Sequence, residues 1–139
     1  MEWRSKPGHS FHTVGDLVEC LDPVRRINER KRGRRFGARA THGLTRCFQA
    51  LRIAVNRELD QLEMLLSKGP QLLAPGAALC IISFHSLEDR AVKVAFKKLA
   101  KTEQFDIDHK RGLVPSESEI ERNPRARSAR LRVLRRKLH

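Results

Sequence analysis

The chain has no tyrosine, one tryptophan and six phenylalanines, so aromatic side chains make up only 5% of its 139 residues. A base-stacking platform of the RRM type needs several aromatics on one sheet and is not expected. Cys20, Cys47 and Cys80 stand far apart, odd in number, with no Cys-x-x-Cys pair among them. That spacing supports neither a zinc ribbon nor a disulfide framework. Free thiols in a reducing, cytoplasmic setting are the expectation. Eight glycines are present, yet no two form a Gly-x-Gly, so a glycine-rich loop that cradles phosphates is missing from these residues. No apolar run approaches the roughly 20 residues that span a bilayer. The opening MEWRSKPGHSF lacks the apolar stretch of a secretory signal. His9 and His12 form a His-x-x-His with no third ligand in view, so no metal is expected there.

What the chain does have is positive charge: 29 Lys and Arg against 16 Asp and Glu, a formal net charge of +13. Such a balance favours an anionic partner, and RNA is the commonest large one. An arginine-rich block from Arg25 to Arg39 reads equally as a solvated segment or an anion-binding arm. Before it, Val14, Leu17, Val18 and Leu21 share a helical face, which predicts a short helix over Thr13–Leu21 interrupted by Pro23. The strongest helical pattern runs from Thr45 to Leu66. Phe48, Leu51, Val55, Leu59, Leu62 and Leu66 form one apolar stripe, with Gln49, Arg52 and Asn56 on the next. Arg52, beside the apolar face, is expected to be half-buried and paired. Lys68-Gly69-Pro70 ends the pattern.

The most informative stretch is LLAPGAALCIISFHSLEDR, from Leu72 to Arg90. A Pro75-Gly76 turn leads into an apolar run, Ala77 to Ile82, that reads as a strand buried on both faces. It ends abruptly in Ser83, Phe84, His85, Ser86, Glu88 and Asp89. Ligands of open α/β sheets bind beyond the carboxyl ends of such strands. Ser86 is suited to cap the next helix, with Asp89 as the acidic part of a capping box, and Val92, Ala95, Phe96 and Leu99 give that helix an inner face. Phe105–His109 reads as a strand, and Ser116–Ile120 as a second capping-box start. Ser128–Arg135 reads as a closing strand with Ala129, Leu131 and Val133 inward and Arg130, Arg132 and Leu134 outward.

ISFHSLEDR, with FQALRIAVNREL before it and NPRARSARLRV after it, resembles the RsmH (MraW) family of S-adenosylmethionine-dependent methyltransferases. Those enzymes modify a cytosine N4 in small-subunit ribosomal RNA (16S rRNA). The blocks keep the family's order and approximate spacing over Thr13 to Arg135. The resemblance implies an α/β chain: the C-terminal part of a Rossmann-like methyltransferase sheet, closed by an antiparallel strand pair and preceded by part of a helical insertion. Residues 1–40 would be the basic, partly helical remnant of the insertion and 41–139 the C-terminal part of the methyltransferase domain. Two departures are visible. Gly76-Ala77 replaces a Gly-Gly turn, and Thr41-His42-Gly43-Leu44-Thr45-Arg46-Cys47 stands where His-Pro-Ala-Thr-Arg-Thr is usual. In the family the S-adenosylmethionine loop precedes these blocks, so no cofactor-binding residue is expected here. The isolated chain is expected to be inactive, and to dimerise or to need a complementing N-terminal chain.

For such an acceptor site His85, whose unperturbed pKa lies near neutrality, is a catalytic candidate, with Ser83 and Glu88 able to bond the cytosine edge or its amine. Phe84, Arg52, Asn56, Arg125, Arg127 and Arg130 are candidates for holding the RNA. Each has a plainer reading. His85 could be a loop histidine bonded to backbone, and Ser86 a helix cap. Glu88 and Asp89 could pair with Arg52 or Arg90, and Phe84 could be buried. The arginines of NPRARSARLR, Arg132 included, suit phosphate or could pair with Glu117, Glu119 or Glu121. The rival function is a non-catalytic RNA-binding or ribosome-assembly remnant. A DNA-binding regulator is disfavoured, since no helix-turn-helix pattern precedes the Thr45 helix.

Overall fold

A computed structural model describes residues 12–32 and 44–138, the side chains of 24–32 excepted. His9, the arginine block beyond Arg32 and the segment Thr41–Gly43 lie outside the described residues. The described chain divides into two compact units between Asn56 and Arg57. No described helix is long and apolar enough to cross a membrane.

In the first unit, helix α1 spans Val14–Arg32. It starts in a reciprocal cap: the Asp16 N–H donates to Thr13 Oγ1 at 3.2 Å and the Thr13 N–H donates to Asp16 Oδ2 at 2.8 Å. Pro23 does not interrupt the helix as expected; it lies inside it. A proline removes one helical hydrogen bond, but the residues after it are mostly arginine, lysine and glutamate, which favour helix.

The expected single helix over Thr45–Leu66 is two, α2 Thr45–Asn56 and α3 Glu58–Lys68. Arg57 between them is left-handed, φ 53° and ψ 39°, a conformation that costs a non-glycine residue about 1–2 kcal/mol. Its Nε donates to Asp60 Oδ2 at 2.9 Å, and Glu58 and Asp60 favour the new amino terminus. The break divides the apolar stripe. Leu62 and Leu66 of α3 join a core, while Leu51 and Val55 of α2 are 44% and 79% exposed.

The second unit is a three-stranded sheet with helices against one face. Ala74–Ala77 forms a tight turn closed by Ala77 N–H to the Ala74 carbonyl at 3.0 Å, with Gly76 at φ 78°. Strand β1 (Ala78–Ser83), helix α4 (Ser86–Ala100), strand β2 (Phe105–Leu113), helix α5 (Glu117–Arg122) and strand β3 (Arg130–Arg136) follow. The strand order is β1-β3-β2, with β3 antiparallel to both neighbours, so the expected antiparallel closing pair is present. The α5 start is the anticipated one, with Ser116 Oγ accepting from the Glu119 N–H at 3.2 Å.

Leu79 and Ile81 of β1 and Leu134 of β3 turn toward Val92 and Phe96 of α4, with Leu66 and Phe105 completing the cluster. The inner face read for α4 is therefore correct. Two burial expectations are not. β1 is covered on one face only, for Cys80 is exposed and Ile82 is 58% exposed. On β3 the inward and outward sets are not as expected: Arg132 and Leu134, expected outward, are 5% and 0% exposed. Leu134 packs on Val92 and Phe96 and Arg132 pairs with Asp89 of α4, while Val133, expected inward, is buried too at 9% exposed.

Phe96 is 1% exposed at the centre of this core. Phe96→Ala is expected to cost about 3–5 kcal/mol, a large share of the roughly 5–15 kcal/mol that holds a domain together. The urea unfolding midpoint should drop by about 1 M or more, and an unmoved midpoint would contradict this core.

Candidate functional site

The carboxyl end of β1 and the first turn of α4 form a polar tip. The cap is His85, one residue before the expected Ser86. His85 has an extended backbone, φ −141° and ψ 162°, and its side chain accepts from the Glu88 N–H. That bond runs to Nδ1 at 3.3 Å. In return, the Phe84 N–H donates to Glu88 Oε2 at 3.0 Å. The acidic partner is thus Glu88 rather than Asp89, because the spacing of a capping box is counted from the residue that leaves the helix.

This cap fixes the chemistry of the imidazole. With Nδ1 accepting, the neutral ring carries its proton on Nε2. The His85 side chain is 10% exposed, and Nε2 lies 3.2 Å from Glu88 Oε1. The contact is electrostatic, since Nε2 has no well-directed hydrogen bond. Glu58 of α3 joins them: one ligand atom from each of Glu58, His85 and Glu88 falls within 4.8 Å of the others. A metal would need a free lone pair on Nε2, whereas the capped ring presents an N–H between two carboxylates. The trio therefore reads as an electrostatic cluster around the imidazole.

The other candidates are dispersed. Ser83 is 3% exposed, with its hydroxyl directed at the Arg130 carbonyl, 3.4 Å away, so it ties β1 to β3. Phe84 is 55% exposed. Arg52 and Asn56 lie on α2, in the other unit. Arg52 is exposed rather than half-buried, and both residues already make interactions. Arg125 and Arg127 are exposed on a 3-10 turn, Pro124–Ser128, and no described ion pair joins them to Glu117, Glu119 or Glu121. Arg130 leans over the β2 end, its Nη1 donating to the Arg111 carbonyl at 2.7 Å.

Among the described ion pairs, the partner of Asp89 is not Arg90. Asp89 forms a two-pronged bond with Arg132, Nε to Oδ1 at 2.7 Å and Nη2 to Oδ2 at 3.0 Å. Arg130 Nε lies 3.9 Å from the same carboxylate. The bonds from Arg132 hold the Asp89 carboxyl below its ordinary value near 3.8, against the opposing effect of burial. Arg132 is therefore withdrawn from the set of phosphate-binding arginines.

A basic cleft of about 990 Å³ that the sequence did not announce lies beside this pair, lined by Lys93 and Lys97 of α4, Lys101 at its carboxyl cap, and Lys110 and Arg111 of β2. The four-residue spacing of the three lysines was a usable signal. Nothing in the sequence placed Lys110 and Arg111 opposite them.

The profile of the MraW methylase family matches residues 3–137, nearly the whole chain. The chain belongs to this family. Among similar MraW methylases, the ribosomal RNA small subunit methyltransferase H of Sorangium cellulosum is 49% identical over 122 residues, 88% of this chain and 37% of its own length. The namesake from Magnetococcus marinus is 43% identical over 143 residues, 90% of this chain and 42% of its own. One from a Synechococcus strain is 58% identical over 92 residues, 66% of this chain and 28% of its own. This MraW family chain thus spans well under half the length of the curated relatives it matches.

The Asp89 bond to Arg132 makes a directional prediction about acid. Asp89 titrates lower folded than unfolded, so its contribution is fully present above its ordinary pKa and is lost as pH falls through the folded value. Denaturation measured from pH 7 downward should show stability falling below about pH 4. Asp89→Asn should remove part of that fall. At pH 7 it should cost about 3–5 kcal/mol, because Arg132 stays buried without a counter-charge.

Proposed function

We propose that this chain forms the acceptor-side wall and RNA-contacting surface of an S-adenosylmethionine-dependent methyltransferase acting on a cytosine N4 in small-subunit ribosomal RNA. The curated relatives are named ribosomal RNA small subunit methyltransferase H, and the donor and the cytosine N4 are what the family resemblance implies. The observation that carries the reading is the pairing of an exposed aromatic with an anchored carboxylate at the carboxyl end of β1. Phe84 is 55% exposed, and a base can stack on its ring. Glu88 is fixed by the Phe84 N–H on one oxygen and by its proximity to His85 on the other. Each carboxylate oxygen keeps a further lone pair, so the group can accept from the exocyclic amine of cytosine. His85 acts in this scheme as a positioning residue, its Nε2–H steadying Glu88. Ser83 supports the strand end rather than the base, and Arg125, Arg127 and Arg130 hold phosphate.

The methyl donor does not fit the described residues. No Gly-x-Gly is present, and the cleft beside α4 is basic, with its two acids, Asp89 and Asp106, beside Arg132 and Lys137. A cationic sulfonium would be repelled there. Residues outside this sequence would have to hold it.

Two measurements test the reading. A short single-stranded RNA carrying one central cytosine should bind the chain more tightly than its uracil counterpart. Glu88→Gln should narrow that preference, and Phe84→Ala should weaken both by about 5–100-fold, the value of one stacked base. Equal affinity for cytosine and uracil would contradict the acceptor assignment. Calorimetry with S-adenosylmethionine should give no saturable heat, and stoichiometric binding would contradict the placement of the donor elsewhere.

A further inference from the structure

The basic cleft has a construction of its own. Lys93 and Lys97 of α4 and Lys101 at its carboxyl cap recur every four residues, a step of about 6 Å along the helix. That is of the same order as the distance between neighbouring phosphates on one strand. The facing wall is made by an irregularity in β2. Asp108 pairs with Val133 and Leu113 with Leu131, so five steps along β2 oppose two along β3. The surplus residues bulge out, with His109 at φ 55° and Gly112 at φ 74°. Gly112 is required there, because a Cβ would lie 3.2 Å from the Leu131 carbonyl oxygen and 3.1 Å from Arg130 Cγ. Lys110 and Arg111 ride on this bulge and line the cleft opposite the lysines. Bulges re-aim side chains at sheet edges, and this one carries a left-handed histidine to do so.

The side chains of these five residues make no hydrogen bond or ion pair among the described residues. The acids in the cleft are already engaged, Asp89 by Arg132 and Asp106 at 3.7 Å from Lys137 Nζ. The cleft's volume, about 990 Å³, exceeds a single small anion, and its two cationic walls suit an enclosed strand rather than a flat lipid surface. At one end it reaches Asp89, next in sequence to Glu88 of the polar tip.

We infer that this cleft carries the phosphate backbone of the RNA strand flanking the nucleotide presented at Phe84 and Glu88. The inference rests on the acceptor-side reading for the direction of the strand, but the cleft's own contribution is separable. It is sequence-independent and dominated by counterion release, whereas the tip distinguishes cytosine from uracil.

The test uses the full chain with a 12-nucleotide single-stranded RNA, affinity being followed across a salt series. The Lys97→Gln/Lys101→Gln variant should bind about tenfold or more weakly at low salt. Its slope of log K against log salt should shrink by about 1.4, two single-strand phosphate contacts, with the ratio of cytosine to uracil affinity unchanged. Lys98→Gln, on the same helix but outside the cleft, should match the parent. An unchanged slope in the double variant would overturn the cleft assignment, as would an equal loss in Lys98→Gln. A parent chain without any cytosine preference, but with a slope that still depends on Lys97 and Lys101, would sink the acceptor reading and leave the cleft standing. A parent that binds no RNA at low salt would overturn both.

Discussion

The bond between Asp89 and Arg132 is the constraint on which the rest depends. Arg132 sits in the middle strand with its side chain 5% exposed, a position normally reserved for an apolar residue. Its guanidinium has two matched bonds to Asp89 in the first turn of α4. A buried pair of this kind adds little to net stability compared with an apolar substitute, but losing one partner is costly. The consequence is positional. The first turn of α4 is held over β3, and the capping residues of that turn, His85 and Glu88, are held with it.

The same turn separates two kinds of electrostatics. The chain as a whole carries +13, yet the tip gathers Glu58, His85 and Glu88 within a few ångströms. Phosphates are repelled from such a tip, while an amine edge is drawn to it. The lysine-lined cleft begins one residue further on and does the reverse. Backbone and base would be sorted onto neighbouring surfaces by charge alone, with Asp89 neutralised by Arg132 at the boundary between them.

Much of this was legible because local rules agreed. The inner face of α4 followed from Val92, Ala95, Phe96 and Leu99, and the α5 start from Ser116 and Glu119. The pairing of the last two strands also matched. The misreadings share a cause: residues whose backbone or burial is set by tertiary neighbours. Pro23 was treated as a stop, but the helix formers after it prevailed. Arg57 is left-handed where the periodicity ran straight through. The apolar run of β1 did not reveal that one face would lack cover. Alternation over Ser128–Arg135 separates two faces without saying which one is covered, and the partners of Arg132 and Leu134 on α4 decide it. The tip residues were visible as a polar cluster, but the tautomer of His85 depends on a backbone N–H that no composition reveals. The cleft depends on a bulge marked only by Gly112.

Asp89 and Arg132 thus act as one unit in placing the tip. A double-mutant cycle with Asp89→Asn, Arg132→Met and the double variant, read by urea unfolding, tests it most directly. The double variant should be more stable than the sum of the single losses by at least about 1.5 kcal/mol, because removing both charges leaves neither stranded. Additivity within about 0.5 kcal/mol would contradict it.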